Sequence, residues 1–227
     1  MRAYTFFFAA LTVACSSDSS SGSTDTPTTP TTPTTTAYSV SVDSAFATRT
    51  AMVGTSIPAE VHVTQNGQPA SGVTVTWSVS TGGGTANPTT SVTNSAGVAT
   101  TTWTVSDTVR ASTLTGGITG VSSANLQVIT TAGPPTMLVR ASPDSVAVVA
   151  GGSTLITARV TDKSGNAVSG VTVGWTSSGG ALTTTTTVTG ASGNGQVVFS
   201  TDAAPKSYTV TATVAGIGAL TFKVVGL

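Results

Sequence analysis

Along most of this chain, apolar side chains fall at every second position. Ile57, Ala59, Val61 and Val63 alternate with Pro58, Glu60 and His62. Val73, Val75, Trp77 and Val79 alternate with threonine and serine, and so do Ala99, Thr101, Trp103 and Val105. Ala124, Leu126 and Val128 follow the same rule. Further on the sets are Ile156, Ala158, Val160; Val171, Val173, Trp175; Val197, Phe199; Tyr208, Val210, Ala212, Val214; and Leu220, Phe222, Val224. A period of two places these residues on one face of a strand and their polar neighbours on the other. Turn-forming clusters separate the runs: Asn66-Gly67, Gly82-Gly83-Gly84, Ser95-Ala96-Gly97, Lys163-Ser164-Gly165-Asn166, Gly179-Gly180 and Gly193-Asn194-Gly195. Beyond the first fifteen residues no stretch has the helical period. The pattern predicts an all-β chain of antiparallel sheets, each with one wet face.

The pattern is also duplicated. Ser71-Gly72-Val73-Thr74-Val75-Thr76-Trp77 recurs as Ser169-Gly170-Val171-Thr172-Val173-Gly174-Trp175. Val63-Thr64-Gln65-Asn66-Gly67-Gln68-Pro69 recurs as Val160-Thr161-Asp162-Lys163-Ser164-Gly165-Asn166-Ala167, with one extra turn residue. A period of roughly 100 residues is a whole domain, the size of a seven-strand immunoglobulin-like sandwich. The expected organisation is therefore two tandem immunoglobulin-like β-sandwiches, at 38–132 and 133–227. They meet at Ala132-Gly133-Pro134-Pro135, where the diproline cannot continue a ladder. Trp77 and Trp175 hold one place in the repeat, in phase with the valines of their strands. They are expected in the cores, with Trp103 and Phe199 filling the opposing sheets.

The unit Asn66-Gly67-Gln68-Pro69-Ala70-Ser71-Gly72-Val73-Thr74-Val75 resembles the bacterial Ig-like domains of the invasin and intimin family (group 1). So does Asp162-Lys163-Ser164-Gly165-Asn166-Ala167-Val168-Ser169-Gly170-Val171-Thr172-Val173. The shared pattern is a polar-Gly-polar turn, a small residue or proline, then Gly-Val-x-Val. The resemblance covers nearly everything from about residue 38 onward, and it implies repeats that lift a receptor-binding tip away from a cell. A membrane β-barrel and a lectin-like cap, present in that family, have no counterpart here. No binding residue is carried over, and the ligand is unknown.

Residues 1–14 read as a signal peptide: Arg2, then an apolar run around Phe6-Phe7-Phe8. That run falls short of the roughly 20 residues needed to span a bilayer. Leu11-Thr12-Val13-Ala14-Cys15 resembles the lipobox of bacterial lipoproteins, which implies acylation of Cys15 and cleavage before it. The other reading is an ordinary export signal with an incidental cysteine. Lipidation would give a membrane partner through the anchor at Cys15, and several acyl chains on one residue hold stably where one does not. Ser16 after the cysteine points to the outer membrane or cell surface rather than the inner membrane. Residues 16–37 carry no aromatic and no aliphatic chain larger than alanine, so they read as a disordered Ser/Thr/Pro linker. Pro27, Pro30 and Pro33 favour an extended path, at about 3.1 Å per residue a reach of roughly 70 Å.

Composition narrows the chemistry. Charged residues make up 7% of the chain, and the formal net charge is zero. With no Lys/Arg cluster there is no phosphate-tracking surface, so nucleic acid is not an expected partner. Cys15 is the single cysteine, which leaves both sandwiches to be held by packing alone. His62 is the single histidine and lies out of phase with Val61 and Val63, so a His-rich metal site or a catalytic triad cannot be built. Asp43 and Asp144 sit at equivalent places where turn capping is the default role. The expectation is no enzyme, no cofactor and no metal. A structural or adhesive surface module with a protein or glycan ligand is the leading function. A carbohydrate-binding module or a partner in envelope assembly is the alternative, and the aromatic residues open to a sugar are Tyr38, Phe46 and Tyr208.

Overall fold

The computed structural model describes residues 37–227. Cys15, the signal peptide and all but the last residue of the linker lie outside this range. The first half contains β1 (Tyr38–Ser41), a four-residue helix α1 (Ser44–Ala47), β2 (Thr48–Met52), β3 (Ser56–Gln65), β4 (Gln68–Pro69) and β5 (Thr74–Thr81). It continues with β6 (Gly84–Asn87), β7 (Thr90–Val92), β8 (Val98–Val105), β9 (Ala111–Ile118) and β10 (Ser122–Thr131). The second half contains β11 (Met137–Arg140), β12 (Ser145–Val148), β13 (Ser153–Thr161), β14 (Thr172–Ser177) and β15 (Ala181–Leu182). It ends with β16 (Thr186–Val188), β17 (Asn194–Ser200), β18 (Ser207–Val214) and β19 (Gly218–Gly226).

Each half is a two-sheet sandwich. In the first, one sheet runs β1-β3-β8-β6, with β4 hairpinned onto β3, and the other runs β2-β10-β9-β5-β7. In the second, the orders are β11-β13-β17-β15 and β12-β19-β18-β14-β16, so every strand but β4 has a counterpart; in its place is a single bridge between Thr161 and Ala167. The chain enters each sandwich on one sheet and switches to the other. There β2 and β12 lie parallel to the last strands β10 and β19. This is the Greek-key layout of an immunoglobulin-like sandwich.

The alternating apolar residues meet between the sheets. Val61, Val63, Val75, Trp77, Ala99, Trp103, Leu114, Leu126 and Val128 are buried in the first core. Ile156, Val160, Val173, Trp175, Phe199, Tyr208, Val210, Phe222 and Val224 are buried in the second. Trp77 and Trp175 stand on β5 and β14, with Trp103 and Phe199 on β8 and β17 of the facing sheets. Burying an indole leaves its N–H in need of an acceptor. Trp77 Nε1 donates to Ser91 Oγ at 2.8 Å, and Trp175 Nε1 donates to Thr187 Oγ1 at 2.8 Å.

A second hydroxyl device is repeated. Buried Thr93 Oγ1 donates to the Ala70 carbonyl at 2.6 Å and accepts from Val73 N–H at 2.9 Å. Thr189 does the same with Val168 at 2.8 Å and Val171 at 2.9 Å. These threonines tie the segment leading into β5 or β14 to the strand beside it, satisfying backbone groups that have no ladder partner.

Three features depart from the sequence expectation. Asp43 does cap, but what it caps is the short helix α1, through Oδ1 accepting from Ala45 N–H at 3.0 Å. Strand β9 carries no apolar alternation: its inward positions are Ser112, Leu114 and Gly116. Gly116 is required because the indole of Trp77 occupies the space, and a Cβ there would lie 2.6 Å from Trp77 Cζ3. Tyr208, a candidate for sugar stacking, is 1% exposed. Its hydroxyl accepts from the Asp202 N–H at 2.9 Å, the arrangement of a tyrosine corner.

Candidate functional site: the joint between the sandwiches

The polar side chains considered for chemistry do not converge. His62 and Glu60 stand half-buried on the outer side of β3. Among the described residues, no group of three or more His, Cys, Asp or Glu is placed to hold a metal ion. Asp144 forms an ion pair with Arg140 at 2.9 Å. Of the aromatic candidates, Tyr38 and Phe46 are partly buried against the first core, and the Phe46 ring is covered by the Arg49 guanidinium at 3.8 Å. Burial of Tyr208 and the guanidinium over Phe46 remove two of the three rings as open platforms for sugar stacking. A shallow dish of about 410 Å³ on the outer face of the β5–β9–β10 sheet is lined by Thr76, Ser78, Thr115, Gly117 and the β9–β10 hairpin. It offers hydroxyls but neither charge nor ring.

The densest polar constellation lies where the two sandwiches join. Asp162 directly follows β13 and is 1% exposed. Its Oδ2 accepts from Gly133 N–H, in the connecting segment, at 2.9 Å. Its Oδ1 accepts from Ser164 N–H and Asn166 N–H, both at 2.9 Å, which closes the turn after β13. The Asn166 side chain completes the set. Nδ2 donates to Asp162 Oδ2 at 2.9 Å and to the Asp107 carbonyl at 2.7 Å. Its Oδ1 accepts from Val109 N–H at 3.0 Å. Asp107 and Val109 belong to the β8–β9 turn of the first sandwich, so one amide bridges both domains.

A buried carboxylate is costly unless it is fully hydrogen-bonded. Burial pushes the Asp162 carboxyl toward a higher pKa. Donation from the Asn166 side chain and from the backbone N–H groups of Gly133, Asn166 and Ser164 outweighs it, and the pKa lies below the ordinary value. The ionised form is therefore the one the joint is built around. Beside it a cleft of about 250 Å³ is lined by Met52, Val53, Gly54, Thr55, Gly133, Pro134, Thr136, Asp162 and Lys163.

The first sandwich has a simpler version of this turn. Asn66 Oδ1 accepts from Ala37 N–H at 3.2 Å and Asn66 N–H donates to the Ala37 carbonyl at 2.9 Å, holding the chain as it enters β1. Gln65 and Gln68 stand where the second copy has Asp162 and Asn166. In the sequence alone the second turn reads only as a turn. The extra residue, and the acid that replaces Gln65, were the available signals.

Residues 139–224 match the family model described as Bacterial Ig-like domain (group 1). No curated protein sequence matches the chain. Among solved structures, the Escherichia coli adhesin FdeC is similar with a TM-score of 0.56 and 20% identity, over 84% of this chain and 63% of that one. The D0-D1 domain of intimin is similar at TM-score 0.34 and 22% identity, over 82% of this chain and 94% of that one. Invasin, described as a bacterial integrin-binding protein, gives a TM-score of 0.37 and 22% identity over 85% and 40%. The likeness to FdeC shows the fold.

Proposed function

We propose that this chain, whose residues 139–224 match the model of the bacterial Ig-like domain (group 1), is a non-catalytic spacer and adhesion module of the bacterial cell envelope. The observation that carries the reading is the joint. Asn166 bonds to Asp107 and Val109 of the preceding domain while Asp162 holds the connecting Gly133. That is a device for fixing one sandwich against the next, as a spacer needs. FdeC is an adhesin of Escherichia coli, which gives a precedent for this fold in an adhesin.

In this reading Cys15 is lipidated and residues 16–37 tether the sandwiches to the outer membrane or cell surface. Two measurements test it. Metabolic palmitate labelling tags the wild-type chain and is abolished by Cys15→Ser. Protease applied to intact cells cuts the linker and releases both sandwiches together. Unlabelled chain recovered free of membrane ends the anchoring claim, and sandwiches protected in intact cells end the surface claim. The carbohydrate-binding alternative loses support from the burial of Tyr208 and the covered ring of Phe46.

A further inference from the structure

The two sandwiches act as controls for one another, and one edge strand differs between them in what covers it and in the side chains around it. In the first sandwich, Val40 on edge strand β1 faces Val63. Its N–H points away from β3 and is met by Ser122 Oγ, from the start of β10, at 3.2 Å. In the second, Leu138 on edge strand β11 faces Val160. The Val160 N–H donates to Gly193 and the Val160 carbonyl accepts from Val168, so Leu138 also directs its N–H and C=O outward. The residue in the place of Ser122 is Gly218, which has no hydroxyl to offer. A cleft of about 300 Å³ opens there instead, lined by Thr136, Met137, Leu138 and Val139 on one side and Ile217, Gly218 and Ala219 on the other.

The side chains around that edge have changed too. On β1 the outward residues beside Val40 are Ser39 and Ser41; on β11 they are Met137 and Val139, both exposed. Across from Ser41 stands His62, and across from Val139 stands Arg159. Among the described residues the ion pair is Arg140 with Asp144, so Arg159 has no carboxylate, and its Nε is buried with no hydrogen-bond partner. A guanidinium left in this way is matched to a carboxylate supplied from outside.

We infer that the open edge of β11 is a docking site for an extended peptide segment of a partner protein, which adds to the sheet as a further strand. Strand addition takes its affinity from main-chain hydrogen bonds and its selectivity from alternate side chains. The outward N–H and C=O of Leu138 supply the first. For the second, the peptide residue opposite Leu138 points with it into the cleft toward Ile217 and is apolar. A neighbouring peptide residue lies on the outer face with Val139 and carries the carboxylate. That residue is two strand spacings from Arg159, roughly 10 Å, a gap that an extended Arg and a Glu close together. Pairing this edge with its own copy through a two-fold axis would offer Arg159 a second copy of the same strand and no acid, so a second copy leaves it unmatched. The site rests on the fold of the second sandwich and not on how the chain is anchored.

Selection of phage-displayed random peptides on the immobilised whole chain tests this, with Ala219→Trp as the blocked control because Ala219 is exposed and lines the cleft. The expected peptides alternate apolar residues around an Asp or Glu. Their affinity falls at least about tenfold on Ala219→Trp and on Leu138→Pro, which removes the outward N–H together with the leucine side chain that lines the cleft. Arg159→Gln weakens the acidic peptides about tenfold and leaves their Asn or Gln versions unchanged. Amide exchange at Leu138 slows when peptide is bound. Failure to enrich any peptide over the Ala219→Trp chain overturns the proposal, as does equal binding to all variants. Sedimentation showing a dimer that Ala219→Trp dissolves would make a second copy the occupant and overturn the separate partner.

Discussion

Trp77 and Gly116 face each other across β5 and β9, and the indole fills the space in which a side chain on Gly116 would stand. The same pair in the second sandwich is Trp175 and Ala212, where the methyl is accommodated. The cores are therefore equivalent in plan but packed to different volumes. Gly116→Ala is expected to cost about 1–3 kcal/mol by overpacking. Trp77→Phe in the same chain should recover part of that loss by freeing the space the methyl needs. Urea unfolding of the single and double variants measures it, and purely additive losses would contradict the direct clash.

Trp175→Ala should remove about 3–5 kcal/mol from the second sandwich, through the lost apolar burial and the cavity left behind. That is a large share of a domain's net stability. Calorimetry would show the second domain melting early or not folding, and unchanged melting would refute a core role.

Tyr208→Phe keeps the ring but leaves Asp202 N–H without its acceptor. The expected loss is about 0.5–1.5 kcal/mol. Ser112 occupies the equivalent place in the first sandwich and has no such bond; its buried hydroxyl lacks a partner. Ser112→Ala is therefore expected to be neutral or stabilising, and the contrast between the two variants is the readout.

The joint should weaken in acid. The pKa of Asp162 in the folded chain lies below the ordinary 3.8, so the folded state binds its proton less readily than the unfolded chain does. Its contribution is complete above the ordinary value and is lost as pH falls through the lower, folded-state value. Stability measured between neutral pH and about pH 2 should show this component in the wild type and not in Asp162→Asn. Asn166→Ala should uncouple the two unfolding transitions, because it removes the bonds to Asp107 and Val109 as well as those to Asp162. A single shared transition in that variant would count against the bridging role.

Much of this architecture is written in strands that bury one face completely. The valines of β3, β5, β13 and β14 alternate with polar residues because each strand has a sheet packed on one side and water on the other. Strand β9 escapes that logic, since its inward Ser112 and Gly116 give no apolar contrast, and Gly116 is explained only by an indole from another strand. The short edge strands β1, β6 and β7 run for too few residues to establish a period. The joint was illegible for a different reason: Asp162 and Asn166 look like ordinary turn residues until the β8–β9 turn of the other domain is placed against them.

Trp77 and Trp175 each donate the indole N–H to a hydroxyl on an outermost strand, Ser91 on β7 and Thr187 on β16 respectively. Fraying of either strand would strip that acceptor and let water reach the ring. The emission wavelength of Trp175, isolated by replacing the other two tryptophans with phenylalanine, would thus serve as a built-in optical gauge of margin opening in the second sandwich.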